Sequence, residues 1–183
     1  MIYLKDSVYP GGYKGKMTRA RAALSLVSER LIHMKQQIDD FTVATEKWLS
    51  DTPLLKRQEL GQYMTPLFLR THLLDQLEIF PGARVLDPSV GTGEFLRQVQ
   101  MDIGGVELVG WDVDPKILKA AQVNVPGAKL QNRSALDPYD GPLFDFVIGN
   151  PPYFEMKPSD EVRARFGQVI SGRTNIYALF FQS

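Results

Sequence analysis

The sequence predicts an α/β chain built on a doubly wound, mostly parallel sheet, incomplete in its strand count and preceded by an amino-terminal helical extension. Three observations predict it. From residue 83 onward short apolar runs alternate with stretches of helical period, as in βαβ units. The first of those runs ends in Asp87 and opens a glycine-rich loop, Ser89-Val90-Gly91-Thr92-Gly93, that leads into a helix. Earlier in the chain, Leu24, Val27, Leu31, Met34, Ile38 and Phe41 recur at steps of three and four, which is one face of a long amphipathic helix. The boundary expected from this change of pattern divides an arm and helical extension, residues 1–56, from a domain over residues 57–183.

Residues 1–16 hold Pro10, Gly11, Gly12 and Gly15 and read as a loop or arm. Lys5, Lys14, Lys16, Arg19 and Arg21 against Asp6 make the first 21 residues basic; they fit a phosphate-contacting arm or a solvated terminus. The long helix that follows fits packing on its own domain or against a partner helix. Asp51-Thr52-Pro53 predicts a capped helix with proline at its first position, ended by Gly61. Thr65-Pro66 starts the next helix, rich in leucine and stopped before Pro81-Gly82. Strands are predicted at 83–87, 106–112, 128–132 and 143–149, with helices at 94–101 and from Pro115 to about Asn124. The fourth strand is the most apolar, the kind that sits inside a parallel sheet. An apolar helix is expected from Asn175. Four strands are few for such a sheet, which implies a truncated polypeptide, a complementing chain, or self-association through the open edge.

Composition excludes several classes. The 183 residues carry 21 Lys+Arg and 21 Asp+Glu, a formal net charge of zero, so bulk positive charge does not hold this chain to nucleic acid. With no Cys and only two His, disulfide scaffolds, thiolate zinc sites, cysteine nucleophiles and histidine-rich metal sites are excluded, and no metal is expected. Apolar runs reach about five residues, where a membrane span needs roughly 20. A soluble cytoplasmic chain is the expectation.

The first loop differs from a dinucleotide fingerprint. The third glycine of G-x-G-x-x-G is replaced by Leu96, and the strand before it ends in Asp87. A carboxylate there disfavours pyrophosphate and suits a ligand with a positive group, such as the amino end of S-adenosylmethionine; a plain βα turn is the alternative. Asp112 ends the second strand 19 residues after Gly93, the placement of an acid that binds ribose hydroxyls. Asp114, just before Pro115, reads as a helix cap.

The fourth strand runs into Asn150-Pro151-Pro152-Tyr153-Phe154. Two prolines fix φ and remove two donors, so the turn offers carbonyl oxygens, joined by the Asn150 side chain. Two rigid acceptors beside aromatic faces fit a planar –NH2 group, whose delocalised lone pair they would expose by gripping its hydrogens.

With these residues on view, the chain resembles the amino-terminal part of the catalytic domain of γ-type N6-adenine DNA methyltransferases of restriction–modification systems (type I, IIG and IIS), over residues 57–182. Gly61-Gln62-Tyr63-Met64-Thr65-Pro66 is similar to that family's Gly-Gln-aromatic-x-Thr-Pro element, and Asn175-Ile176-Tyr177-Ala178-Leu179-Phe180 to its Asn-x-Tyr-x-x-Phe helix. Only 63 residues separate Asp87 from Asn150, which leaves no room for a target-recognition domain and selects the γ order. The resemblance implies a Rossmann-like S-adenosylmethionine-dependent domain and DNA as partner, with a specificity or nuclease subunit or a complementing chain as further partners. It implies cofactor binding by Thr65, Asp87, Gly91, Gly93 and Asp112, catalysis by Asn150, Pro151, Pro152 and Tyr153, and Tyr153 and Phe180 against the target base. The family has an acid at the end of the third strand that contacts the cofactor's adenine; Ser134 stands there and implies a weaker contact. Asn-Pro-Pro-Tyr also occurs in enzymes resembling protein-glutamine and RNA methyltransferases, and an inactive or non-catalytic subunit is a further alternative.

Overall fold

The computed structural model describes residues 41–170 and 173–180. The basic arm, and the long helix expected from residue 18 except Phe41, lie outside the described residues. Described helices are α1 (Val43–Asp51), α2 (Leu54–Glu59), α3 (Leu67–Leu74), α4 (Glu94–Asp102), α5 (Pro115–Asn124), α6 (Asp160–Phe166) and α7 (Tyr177–Phe180). Strands are β1 (Arg84–Asp87), β2 (Glu107–Asp112), β3 (Lys129–Asn132), β4 (Phe146–Val147), β5 (Glu155–Met156) and β6 (Thr174–Asn175). The main sheet has the order β3-β2-β1-β4, with every pair parallel. The expected α/β fold with an incomplete, mostly parallel sheet is therefore present.

Alternation along β1 and β2 builds two cores. Val85 and Leu108 face the layer of α4 and α5, where Phe95, Leu96, Val99 and Val125 are buried with them. Leu86, Val109 and Trp111 face the other way and pack with Ala135, Phe144 and Phe180. An aromatic group packs on this second face, with Trp111 5.1 Å from Tyr139 and 5.8 Å from Phe144 between ring centroids. Gly110 lies under the loop: a Cβ there would stand 2.8 Å from Val90 and 2.9 Å from Leu130.

Several boundaries differ from expectation. The fourth strand is two residues long, although the Asp145 N–H donates to the Arg84 carbonyl at 2.9 Å and the Ile148 N–H to that of Leu86 at 2.9 Å. Its open edge is as expected: Leu143 is 89% and Val147 63% exposed, and β4 is the sheet's edge among the described residues. The helix expected from Asn175 begins at Tyr177, because Asn175 pairs with Glu155 in an antiparallel ribbon. Its side-chain carbonyl accepts from the Tyr177 N–H at 3.3 Å. Pro53 caps α2 by position instead of occupying its first turn, and no side-chain cap bond forms there. Helix α6 went unread; its signal is Ser159, which caps it by accepting from the Val162 N–H.

The boundary at 56/57 does not coincide with packing. Helix α1, on the extension's side of it, is pinned to the domain. Buried Thr45 shares hydrogen bonds with Glu94 (2.6 Å), Thr92 (2.9 Å) and Asn124 (3.1 Å), and Trp48 is buried beside it in sequence. Glu94 also accepts from the Thr42 N–H at 3.0 Å and pairs with Arg70 at 3.1 Å, with the two side chains 6% and 1% exposed. None of the helices described is long and apolar enough to cross a membrane.

Removing one partner of a buried ion pair strands the other. Glu94→Ala should therefore lower stability by about 3–5 kcal/mol, whereas Asp51→Ala, which removes the exposed Lys47–Asp51 pair, should change it by less than about 1 kcal/mol. Urea denaturation of both variants checks the ranking.

Candidate functional site

The carboxyl ends of β1 and β2 and the segment from Gly61 to Thr65 enclose a cavity of about 460 Å³. Gly91 and Gly93 shape its floor. Both have positive φ, +53° and +85°, a region open to glycine at little cost. The Gly91 N–H donates to Asp112 Oδ2 at 3.0 Å. Gly93 lets α4 start close to α5: a Cβ there would lie 3.1 Å from Val125 and 3.4 Å from Ala121.

Two acids sit at the strand ends. Asp87 is 1% exposed and accepts from the Ser89 N–H at 3.0 Å. Burial pushes its carboxyl from the ordinary 3.8 up to about 7; the Ser89 N–H opposes the shift, and nearby Asp112 adds to it. The wall behind it is backbone: a Cβ on Gly149 would stand 2.5 Å from Asp87 Oδ1. Asp112 is raised too, by burial above all, against donation from the Asp114 and Gly91 N–H groups. Asp114 is the helix cap, accepting from the Lys116 N–H at 2.8 Å.

Next to this floor lies the Asn-Pro-Pro-Tyr turn. Asn150 donates from Nδ2 to the Tyr63 carbonyl at 2.9 Å. A backbone carbonyl can only accept, so this bond settles which end of the amide is nitrogen and leaves Oδ1 to serve as an acceptor. The turn is tied onward: the Ile176 N–H donates to the Phe154 carbonyl at 3.0 Å.

Of the residues singled out from the sequence, Thr65, Asp87, Gly91, Asp112, Ser134, Asn150, Pro152 and Phe180 line this one cavity. Pro151 lines a neighbouring cavity of about 590 Å³, which Phe180 also reaches. Tyr153 lines neither; its half-exposed ring is tilted against Tyr177, 5.8 Å between centroids. Gly93 supports the floor from below. Ser134 is in the lining, but its hydroxyl already accepts from the Leu136 N–H at 3.1 Å and its own N–H donates to Asp137. Sequence reasoning missed Arg70, Glu94 and Gln62 in the lining. A cation at the fifth position after Thr65 and an acid opening α4 were the signal for the first two.

The donor set fits S-adenosylmethionine. Ser89 Oγ and Gln62 Oε1 are buried without hydrogen-bond partners among the described residues, and both residues line the cavity. A carboxylate faces the place of a cationic group, and apolar Val90, Val113 and Ile117 give a flat ring its walls.

Comparisons with known proteins agree with this chemistry. Residues 111–183 match the family model of the Eco57I restriction-modification methylases. The chain is 30% identical over 110 residues to the type II methyltransferase M.HincII of Haemophilus influenzae, covering 60% of this chain and 20% of that protein. It is 29% identical over 151 residues to the modification methylase CviBIII of Paramecium bursaria Chlorella virus NC1A, covering 78% and 38%. Among solved structures, one from Listeria monocytogenes, provisionally assigned to the class I S-adenosylmethionine-dependent methyltransferases, superposes with a TM-score of 0.51 at 23% identity, covering 63% of this chain and 38% of that one. That likeness establishes the fold. The chain thus spans between a fifth and two fifths of the length of these curated relatives. The resemblance to restriction–modification methyltransferases stands on these matches, and S-adenosylmethionine is the cofactor they imply.

Asp87 gives the site a pH dependence. Its native pKa of about 7 lies above the ordinary 3.8, so the native state holds this proton more tightly than the unfolded chain. The unliganded protein should lose stability as pH rises from about 4 to 7 and level off above that. Asp87→Asn should remove the loss and melt higher at pH 8 while weakening cofactor binding. In the unsubstituted protein, calorimetry should find the cofactor's Kd rising about tenfold per pH unit below 7; a flat profile would separate Asp87 from the ligand's cation. By the same measurement Asp112→Ala should weaken binding more than Asp114→Ala, whose main loss is a helix cap.

Proposed function

We propose that this chain carries the cofactor site and the amine-gripping turn of an N6-adenine DNA methyltransferase of the restriction–modification type. The observation that supports it most is the Asn150 side chain, held by the Tyr63 carbonyl so that Oδ1 is left as an acceptor in the lining shared with Asp87 and Asp112. The chemistry needed is displacement by a weak nucleophile. An adenine amine conjugated to its ring has little lone-pair density. Asn150 Oδ1 and the Pro151 carbonyl would take its two hydrogens, pulling the nitrogen toward tetrahedral geometry and exposing its lone pair. The bound cofactor supplies an electrophilic methyl group on a sulfonium. Asp87 orients the cofactor's amino end, Asp112 the ribose hydroxyls, and the α3 start at Thr65 the carboxylate end. Once methylated, the nitrogen is cationic and acidic, so its surplus proton passes to solvent without a strong base.

The base would be extruded from the duplex to reach the turn and stack on Tyr153, with Phe180 on its other side. Tyr153 is exposed enough to receive it. The open flank of β4 supports pairing with a further strand, from the chain's own continuation, a second copy or a complementing polypeptide.

In the natural protein, Asn150→Ala should cost on the order of a few hundredfold in methyl transfer while calorimetry still detects the cofactor. The substrate is read by incubating the unsubstituted protein with labelled cofactor and, in parallel reactions, DNA, RNA or protein, then digesting each to nucleosides or amino acids. Label in N6-methyl-2′-deoxyadenosine is the expected result. Label in RNA or in protein glutamine would redirect the assignment, and near-normal turnover by Asn150→Ala would remove that residue from the chemistry.

A further inference from the structure

The Gly61–Thr65 segment lines the cofactor cavity along its whole length and also meets the acceptor turn. Its Thr65 end is anchored in the buried network: the Thr65 carbonyl accepts from Arg70 Nη1 at 2.5 Å, and Met64 Sδ accepts from the Thr92 hydroxyl at 3.5 Å. Its other end follows α2, with the Gly61 N–H donating to the Gln58 carbonyl at 3.1 Å and the Gln62 N–H to that of Arg57 at 2.8 Å. Between these anchors the segment meets the turn twice. Gly61, at φ +61°, lies so close to Tyr153 that a Cβ would stand 2.5 Å from its backbone nitrogen and 3.1 Å from its carbonyl carbon and oxygen. The Tyr63 carbonyl holds Asn150 Nδ2 at 2.9 Å.

Both contacts act on the geometry of the acceptors and neither touches a reacting atom. Contact with the Gly61 backbone sets where the Tyr153 end of the turn can lie. The tether at Tyr63 sets the rotation of the Asn150 amide, and without it the amide could present its NH2 edge, a donor, to the substrate amine, which is itself a donor. From these contacts we infer that the Gly61–Tyr63 segment is a positioning element for the acceptor turn, with Gly61 required for backbone clearance at Tyr153 and the Tyr63 carbonyl selecting the acceptor edge of Asn150. The kinetic consequence rests on the proposed amine methyltransferase reading; the structural consequence does not.

The test pairs two glycines. Gly82 also has positive φ, +92°, but a Cβ there meets nothing within 4 Å. Gly82→Ala therefore carries backbone strain without the clash, and Gly61→Ala carries both. In the natural protein, Gly61→Ala should lower kcat about a hundredfold, the effect of misplacing a reacting group by about 1 Å. Its cofactor Kd and DNA KM should stay within about threefold, and Gly82→Ala should keep kcat within the same margin. The side-chain amide of Asn150 gives a readout that needs no turnover. In the unsubstituted protein, NMR should show its protons protected from exchange, with a through-hydrogen-bond coupling to the Tyr63 carbonyl carbon; Gly61→Ala should lose both. Equal kcat in the two glycine variants, or an unprotected Asn150 amide in the unsubstituted protein, overturns the inference. If Gly61→Ala does not fold, the unsubstituted protein's amide decides. If the unsubstituted protein binds cofactor but methylates nothing, the functional reading fails and the amide measurement still decides this one.

Discussion

The parallel pairing of β1 with β4 is the constraint on which the site depends. Its register sets Val85 opposite Phe146 and Leu86 opposite Val147. The next residues along the two strands are Asp87 and Ile148, and Gly149 then closes on the Asp87 carboxylate. On β1's other side the chain progresses through β2 and β3, so the strand order reverses between β1 and β4. A crevice opens at such a reversal, outside the carboxyl ends of the strands. Here it receives Asp87 and Asp112 from one side and the Asn-Pro-Pro-Tyr turn from the other. A one-residue slip of β4 would flip its side chains between faces and move Asn150 along the crevice by roughly 3.3 Å, one strand rise, enough to separate the acceptor from its tether.

Local sequence reached the floor of this site because its residues are consecutive or nearly so. Asp87, Gly91 and Gly93 belong to one strand-loop-helix unit, and the Asp114-Pro115 cap is a signal spanning two residues. What sequence did not reach was contact between distant segments. Nothing in Gly61 or Tyr63 by itself announces that one clears Tyr153 and the other tethers Asn150, since the partners lie about 90 residues on. The Arg70–Glu94 pair is hidden for the same reason, and a lone cation on an apolar helix is ordinarily read as its solvent face. The fourth strand was legible from its pattern and the strand count together: its apolar run suits a position with neighbours on both sides, only four such runs can be read, and one flank of β4 is accordingly open among the described residues.

The two faces of the sheet are finished differently. Helices α4 and α5 seal the face of Val85 and Leu108, and α1 locks onto them through Thr45. The opposite face rests on Trp111, Tyr139, Phe144 and Phe180, with guanidinium groups over the rings: Arg133 at 4.3 Å from the Trp111 centroid and Arg84 at 4.8 Å from that of Phe144. Cations over aromatic faces stabilise rings that remain partly wet. Pro151 lines the cavity on that side and Asn150 and Pro152 the cofactor cavity, while Ser89, Ala135 and Phe180 line both, so the turn borders two adjoining cavities. Rigidity in the two prolines holds the turn in place between them.

Electrostatics at the site run against folding. Buried Asp87 and partly buried Asp112 stand at neighbouring strand ends, each pushed toward its neutral form by desolvation, and the proximity of Asp112 adds to the shift of Asp87. A fold selected only for stability would place an amide or an apolar residue at one of these positions, since a buried charge without a cation is costly. Nor does the buried cation in the same lining neutralise them, for Arg70 is engaged by Glu94 and by the Thr65 carbonyl. The protein thus keeps its own cation in one buried pair and leaves the strand-end acids short of positive charge. A ligand bringing an ammonium to Asp87 and hydroxyl donors to Asp112 relieves that deficit, and the free energy of relief appears as affinity. In the proposed reaction, loss of the sulfonium charge on methyl transfer would lower the attraction this acidic floor exerts and favour departure of the spent cofactor over the fresh one.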